Sequence, residues 1–160
     1  LLRIENVHSA SKMNYQVRLY NGLAISTLVL LDMDDSGIES YEQLISSKTK
    51  PTSEILQIKS AGMTRCELED IVDINVYSSI LEDEFNINVN IPQFIQRKKP
   101  WSDRLHIAAN KSPGVFDVDV EAGIKTRIAD IVVEQGIQAI AQYDRDYVQS
   151  LIRAISRFAN

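Results

Sequence analysis

The stretch LVLLDMDDSGIESYEQL, residues 28–44, decides the fold prediction for this chain. Its first four residues are apolar, and they lead directly into Asp32, Asp34 and Asp35. A short apolar run is typical of a buried strand, and the apolar residues that follow Gly37 have helical spacing. Carboxylates placed this close together repel one another unless a cation lies between them. The stretch therefore predicts a strand, an acidic turn that attracts a cation, and a helix.

The segments on either side predict an alternation of strands and helices. We expect strands at residues 1–7, 24–31 and 54–58, and helices at residues 9–20 and 37–47. This order is typical of a parallel sheet covered by helices. The later patterns predict mainly helices, at residues 67–73, 75–85, 101–110, 123–135 and 144–159. The last of these helices should bury Val148, Leu151, Ile152 and Ile155. The predicted organisation is an α/β core at residues 1–90 and a helical C-terminal extension at residues 91–160.

The composition limits the classes of protein that the chain can belong to. It has 160 residues, of which 44% are hydrophobic and 24% charged, and its net charge is -5. No apolar run reaches the roughly 18 residues of a membrane span, so we expect no membrane partner. The single Cys66 cannot form a disulfide within the chain, which favours a cytoplasmic location. An acidic chain gains nothing from its overall charge near nucleic acid, so any contact with DNA must be local.

Two kinds of site that use such an acidic turn fit the residues incompletely. An EF-hand calcium loop would start at Asp32, but Glu39 and Gln43 stand where that loop needs an apolar residue and a bidentate glutamate. In a phosphatase of the HAD type, Asp32 would be the nucleophile and Asp34 the acid/base. That class also needs a late acidic pair at the end of a strand, for which DVDV at residues 117–120 is the candidate.

The third interpretation is a Toprim domain, whose second motif the turn resembles. That motif is an apolar strand followed by Asp-x-Asp-x-x-Gly and a helix, and here its residues are Asp32, Asp34 and Gly37. Both carboxylates follow a parallel strand, at the edge of the sheet where open α/β folds place their sites. Carboxylate oxygens suit Mg²⁺ or Mn²⁺, and such ions stabilise the oxygens that attack and leave in phosphodiester hydrolysis.

Two later segments also resemble the Toprim domains of OLD-family nucleases. CELEDIVDINVYSSIL, residues 66–81, is similar to the Glu-Asp-Leu segment of those enzymes, and the resemblance implies that Glu69 is a metal ligand. Glu67 is a further candidate ligand in the same segment. GIKTRIADIVVE, residues 123–134, is similar to their late lysine segment. There the resemblance implies that Lys125 stabilises the charge of the transition state.

Together these segments suggest a two-metal DNA endonuclease that is part of a larger polypeptide. The resemblance implies an ATPase region elsewhere in that polypeptide, a homodimer or higher oligomer, and a role in defence against phage. Toprim enzymes also need an earlier glutamate at the end of their first strand. Glu5 has the wrong neighbours and spacing for it, so we expect the true residue to precede residue 1 and the site of this chain to be incomplete.

Three alternatives stay open from the sequence alone. The chain is a nuclease domain, a HAD-like phosphatase, or a catalytically inactive Toprim-like module that serves protein contacts. The run RKKP at residues 97–100 and the adjacent Trp101 predict either a solvated loop or a surface that contacts phosphates and stacks on a base.

Overall fold

The computed structural model of the protein describes residues 5, 7, 10–113 and 115–159. Its strands are β1 (Val29–Leu31) and β2 (Ile55–Gln57). Its α-helices are α1 (Ala10–Gly22), α2 (Asp35–Ser46), α3 (Ser78–Phe85), α4 (Pro92–Ile95), α5 (Trp101–Ala109), α6 (Val118–Gln135) and α7 (Arg145–Ala159). Short 3-10 helices lie at Thr52–Glu54, Leu68–Ile71, Ile74–Val76, Gly136–Ala139 and Gln142–Asp144.

The contacts divide the chain into two compact units. The first contains the described residues up to Lys59 and those from Tyr147 onward, and the second runs from Ser60 to Asp146. These divisions differ from the boundary after residue 90 that the sequence suggested. The assignment of residues 1–90 and 91–160 to a Toprim core and its extension stays a prediction.

The first unit is built on a pair of parallel strands. Val29 pairs with Ile55 and Leu31 with Gln57, and α2 lies between the strands in sequence. Val29, Leu31 and Ile55 of the strands are buried in one cluster with Leu44 of α2. The apolar positions of these strands and of this helix therefore face a common core. The predicted parallel α/β arrangement is confirmed for these two strands, which form the whole sheet in the described part of the chain. A larger, Toprim-like sheet stays a prediction.

The first predicted strand cannot be compared, and the second is shorter than predicted. Apart from residues 5 and 7, the strand at 1–7 lies outside the described residues. The strand at 24–31 begins only at Val29, because the preceding residues close helix α1. The amide of Leu23 donates to Leu19 at 3.1 Å and that of Ile25 to Tyr20 at 2.9 Å, with Ala24 between them in the left-handed conformation. These backbone groups are therefore not available to a sheet.

The named secondary-structure elements of the second unit are helices, which are joined by loops and by one isolated antiparallel bridge between Val72 and Ile140. Its core contains the fully buried side chains of Leu81, Phe94, Trp101, Leu105 and Ile124, which come from helices α3 to α6. The predicted helix at 101–110 is confirmed as α5. The one predicted at 123–135 begins earlier, at Val118. Asp117 caps this helix by accepting hydrogen bonds from the amides of Asp119 and Val120, at 3.1 and 3.0 Å.

Helix α7 confirms the predicted terminal helix but not its whole buried face. Val148 is buried as expected, whereas Ile152 is 52% exposed. The expectation that Ile152 is buried was therefore wrong. None of the helices in the described part of the chain combines the length and the apolar character that a membrane crossing requires.

Candidate functional site

Asp34 and Gly37 of the acidic turn each have a local structural role. Asp34 is the N-cap of α2, and its Oδ1 accepts a hydrogen bond from the amide of Gly37 at 2.7 Å. A Cβ atom on Gly37 would lie 2.0 Å from the carbonyl oxygen of Asp32. Only glycine allows the helix to begin this close to the end of the strand. The Asp-x-Asp-x-x-Gly spacing therefore defines a tight junction between strand and helix.

The same junction places Asp32 and Asp34 next to the carboxyl end of β1. Asp32 directly follows β1, at the carboxyl end of a parallel strand, and Asp34 lies two residues further on. Both are half-buried, and the cap hydrogen bond uses one oxygen of Asp34. The donors are of the class that Mg²⁺ and Mn²⁺ prefer. Among the residues that the structure describes, however, no group of three or more His, Cys, Asp or Glu residues is arranged to hold a metal ion.

The remaining predicted site residues come together in the second unit. Glu67 and Glu69 lie at the 3-10 helix Leu68–Ile71, and Lys125 lies on α6. The Nζ atom of Lys125 lies 3.5 Å from Oε2 of Glu67 and 3.3 Å from Oε1 of Glu121. The structure thus groups Glu67, Glu69 and Lys125, whereas Asp32 and Asp34 belong to the first unit.

Burial and charge raise the pKa values of two members of this group, Glu69 and Lys125. Burial raises the pKa of the Glu69 carboxyl, and the opposite charge of Lys125 only partly offsets that effect. Burial opposes the charge of Lys125, but the carboxylates of Glu69, Glu67 and Glu121 outweigh it and raise the pKa of the ammonium group. Lys125 therefore stays positively charged at neutral pH, as a residue that stabilises negative charge on a phosphate must.

Three residues of this group were missed by the sequence analysis. The hydroxyl of Ser102 lies 2.6 Å from Oε2 of Glu67 and 2.8 Å from Oε1 of Glu121. The Nε2 atom of His106 lies 3.1 Å from the other oxygen of Glu121. Glu121 precedes Lys125 by four residues on α6, a spacing that could have signalled the ion pair. Ser102 and His106 carry no comparable signal, since they lie on a different helix.

A buried ion pair holds the Glu67–Glu69 segment in place. The carboxylate of Asp70 forms a salt bridge with Arg104, and it accepts hydrogen bonds from the amides of Glu67 and Trp101 at 2.8 and 3.1 Å. Burial raises the pKa of Asp70, while Arg104 and the two amides act in the opposite direction. Asp70 thus ties the segment to the start of α5. Its role is to position its neighbours.

The prediction for RKKP and Trp101 is wrong for the tryptophan. Trp101 is fully buried in the core of the second unit, so its ring cannot stack on a base. Arg97 is also held by the protein, because its guanidinium donates to the hydroxyl of Ser60 and to the carbonyl oxygen of Asp70. Lys98 and Lys99 are exposed, and they are the part of this run that can meet phosphates.

The residues expected of a HAD-type phosphatase are not arranged as that class requires. The late acidic pair at residues 117–120 does not follow a strand, because Asp117 caps helix α6 and Asp119 lies in its first turn. A nucleophilic aspartate would therefore lack the partner pair that this interpretation assigned to it.

Comparison of the chain with protein families, with curated proteins and with solved structures finds no match.

Proposed function

We propose that this chain is part of a divalent-metal-dependent DNA endonuclease of the Toprim type found in OLD-family enzymes. One observation carries the proposal. Asp32 and Asp34 follow a strand in a parallel pair, and Gly37 permits the tight strand-to-helix junction that presents them. Ligand sites of open α/β sheets lie at this edge. The resemblance of three separate segments to one family supports the same choice.

Each predicted residue has a distinct task in this proposal. In the first unit, Asp32 and Asp34 bind Mg²⁺ or Mn²⁺, and in the second unit Glu69 and, secondarily, Glu67 are further metal ligands. Such a metal lowers the pKa of bound water and neutralises charge on the scissile phosphate. Lys125 stabilises negative charge that develops on the phosphate, which agrees with the raised pKa of its ammonium group.

The proposal extends to the setting in which the nuclease acts. It includes DNA as substrate and an ATPase region elsewhere in the same polypeptide. It also includes a homodimer or larger assembly in the cytoplasm and a role in defence against phage. These parts depend on the family resemblance, and the cleavage experiment tests the chemistry independently of them.

The experiment is plasmid cleavage by the full-length gene product in Mg²⁺ or Mn²⁺. We expect nicking or linearisation that EDTA prevents and that Asp32→Ala abolishes. Asp34→Asn should also abolish it, because asparagine preserves the helix cap but removes the charge that binds metal. Asp35→Asn is the matched control, since it removes a neighbouring charge from the exposed side of the same turn.

Lys125 is tested separately in the same assay. Loss of one group that stabilises transition-state charge typically costs roughly 10²-fold or more in rate. Lys125→Gln should show such a loss, and Lys125→Arg should retain more activity because it keeps the positive charge. Calorimetric titration with Mn²⁺ adds a readout that does not depend on cleavage. If Asp32→Ala bound Mn²⁺ and cut DNA as the wild type does, the proposal would fail.

A further inference from the structure

The second unit contains a cavity of about 380 Å³ whose lining residues lie outside the proposed catalytic group. Its buried wall includes Tyr77 and Arg104, which are 2% and 3% exposed. Its outer edge includes Tyr143 and Ile95, which are 56% and 54% exposed. A cavity of this volume lies within the range of sites for small organic ligands, and its lining combines aromatic, apolar and polar side chains.

The buried wall carries hydrogen-bond donors that the protein does not use. The hydroxyl of Tyr77 accepts a hydrogen bond from Nε1 of Trp101 at 3.3 Å, but no residue in the described part of the chain accepts its proton. Arg104 donates to the carbonyl oxygens of Lys99 and Phe94 and to Asp70, which uses three of its five N–H groups. A buried donor without an acceptor costs free energy. The wall is therefore suited to a ligand that brings acceptor atoms.

The outer edge supplies an aromatic surface that Arg97 contacts. The guanidinium carbon of Arg97 lies 4.6 Å from the centroid of the Tyr143 ring and covers one of its faces. Arg97 is itself held by the carbonyl oxygen of Asp70 at 3.1 Å and by the carboxylate of Asp144 at 3.7 Å. Tyr143 is nevertheless 56% exposed, so part of its side chain is accessible to a planar ligand.

We propose that this cavity binds one unpaired nucleobase. The base stacks on the exposed ring of Tyr143, and one of its carbonyl or ring-nitrogen acceptors accepts a hydrogen bond from the Tyr77 hydroxyl. Nucleobases combine a planar surface with acceptor atoms at one edge, as this pair of tyrosines requires. The exposed Lys98 and Lys99 follow Arg97 in sequence and supply positive charge for the attached phosphates.

The inference rests on the proposed function for one point, which is that the protein handles nucleic acid. Two kinds of ligand could bring such a base to the cavity, namely single-stranded DNA and a free nucleotide. An intact duplex keeps its bases stacked and paired, so it offers no base to the cavity. These three forms can be compared directly in one binding assay.

The test is fluorescence anisotropy of labelled oligonucleotides with the intact chain in EDTA, which prevents metal-dependent cleavage. We expect a single-stranded oligonucleotide to bind more tightly than the duplex of the same sequence and more tightly than an abasic strand. Base–aromatic stacking supports a difference of roughly tenfold between the normal and the abasic strand. Competition by deoxynucleoside monophosphates at similar concentrations would identify a free nucleotide as the source.

Variants of the two tyrosines assign the effect to the cavity. Tyr143→Ala should weaken binding roughly tenfold, and Tyr143→Phe should restore it, because stacking needs only the ring. Tyr15→Ala is the matched control, since Tyr15 is a similarly exposed tyrosine of the first unit. Tyr77→Phe should weaken binding of the single-stranded oligonucleotide, because it removes the hydroxyl that donates to the base, while far-UV circular dichroism stays unchanged.

The outcomes also separate this inference from the proposed nuclease. Equal binding of normal and abasic strands, or equal effects of Tyr143→Ala and Tyr15→Ala, would overturn the nucleobase site even if plasmid cleavage were found. Failure to bind either an oligonucleotide or a mononucleotide would do the same. Base-dependent binding without metal-dependent cleavage would sustain the cavity's role and overturn the nuclease.

Discussion

Substitution of Gly37 by alanine should destabilise the first unit. The added Cβ would lie 2.0 Å from the carbonyl oxygen of Asp32 and 2.9 Å from its carbonyl carbon. An ordinary contact begins at 3.4 Å, so the strand end and the helix must separate by roughly 1.4 Å (3.4 minus 2.0). Both atoms belong to the backbone, so a change of rotamer cannot relieve the clash.

The expected change in the free energy of unfolding of Gly37→Ala is the sum of two opposing effects. Overpacking of this kind costs about 1–3 kcal/mol, and the backbone location places Gly37→Ala near the upper end. Alanine is favoured over glycine in a helix by up to about 1 kcal/mol. The net expectation is a loss of about 2 kcal/mol in the free energy of unfolding, a large part of the 5–15 kcal/mol typical of a domain.

The assay is urea denaturation followed by far-UV circular dichroism, with Gly123→Ala as the matched control. Gly123 lies inside helix α6, and a Cβ there would meet Phe85 at an ordinary 3.8 Å. That variant should gain roughly 0.5–1 kcal/mol from helix propensity alone. Fluorescence of Trp101 follows the second unit separately, since the chain has one tryptophan. If Gly37→Ala were as stable as the wild type, the close approach at the junction would be refuted.

Three further predictions use the same denaturation assay or a titration. Asp70→Asn should lower the free energy of unfolding by about 3–5 kcal/mol, because Arg104 stays buried without its counter-charge. A loss below about 1 kcal/mol would contradict the stabilising role of this ion pair. Asp34→Ala should cost about 0.5–2 kcal/mol through loss of the helix cap, whereas Asp34→Asn should be nearly neutral; equal losses would argue against capping. Arg127 lowers the pKa of Glu84 below its usual 4.5, so their ion pair contributes stability above pH 4.5, and that contribution is lost as acidification protonates Glu84. In an NMR titration, Arg127→Gln should return the pKa of Glu84 towards 4.5, and an unchanged pKa would show that another group causes the shift.

Much of the first unit could be predicted because its signals are local. The apolar run before Asp32 and the helical spacing after Gly37 lie within a single stretch, and backbone preference and burial act over that same distance. The order of strands and helices then favours a parallel pairing, which the structure has between β1 and β2. The start of β1 was missed because residues 23–25 complete helix α1, and propensity does not reveal where those hydrogen bonds go.

The candidate site was predictable only in part. Glu67, Glu69 and Lys125 were found through resemblance, and the structure groups them in one unit. Their partners Ser102 and His106 lie on α5, and only packing of that helix against its neighbours brings them to Glu121. Contacts between residues distant in sequence leave no periodic pattern, so they could not be predicted from any single stretch of the sequence.

The sequence by itself determined the acidic turn after an apolar strand, the helix that follows it and the parallel order of the elements around it. These depend on residues within a few positions of each other. Only the tertiary structure decided that Trp101 is buried and that Tyr143 is exposed, since their exposure depends on which distant side chains cover each ring. It also decided that Tyr77 and Tyr143 line a common cavity, because helix packing joins positions that the chain separates by many residues.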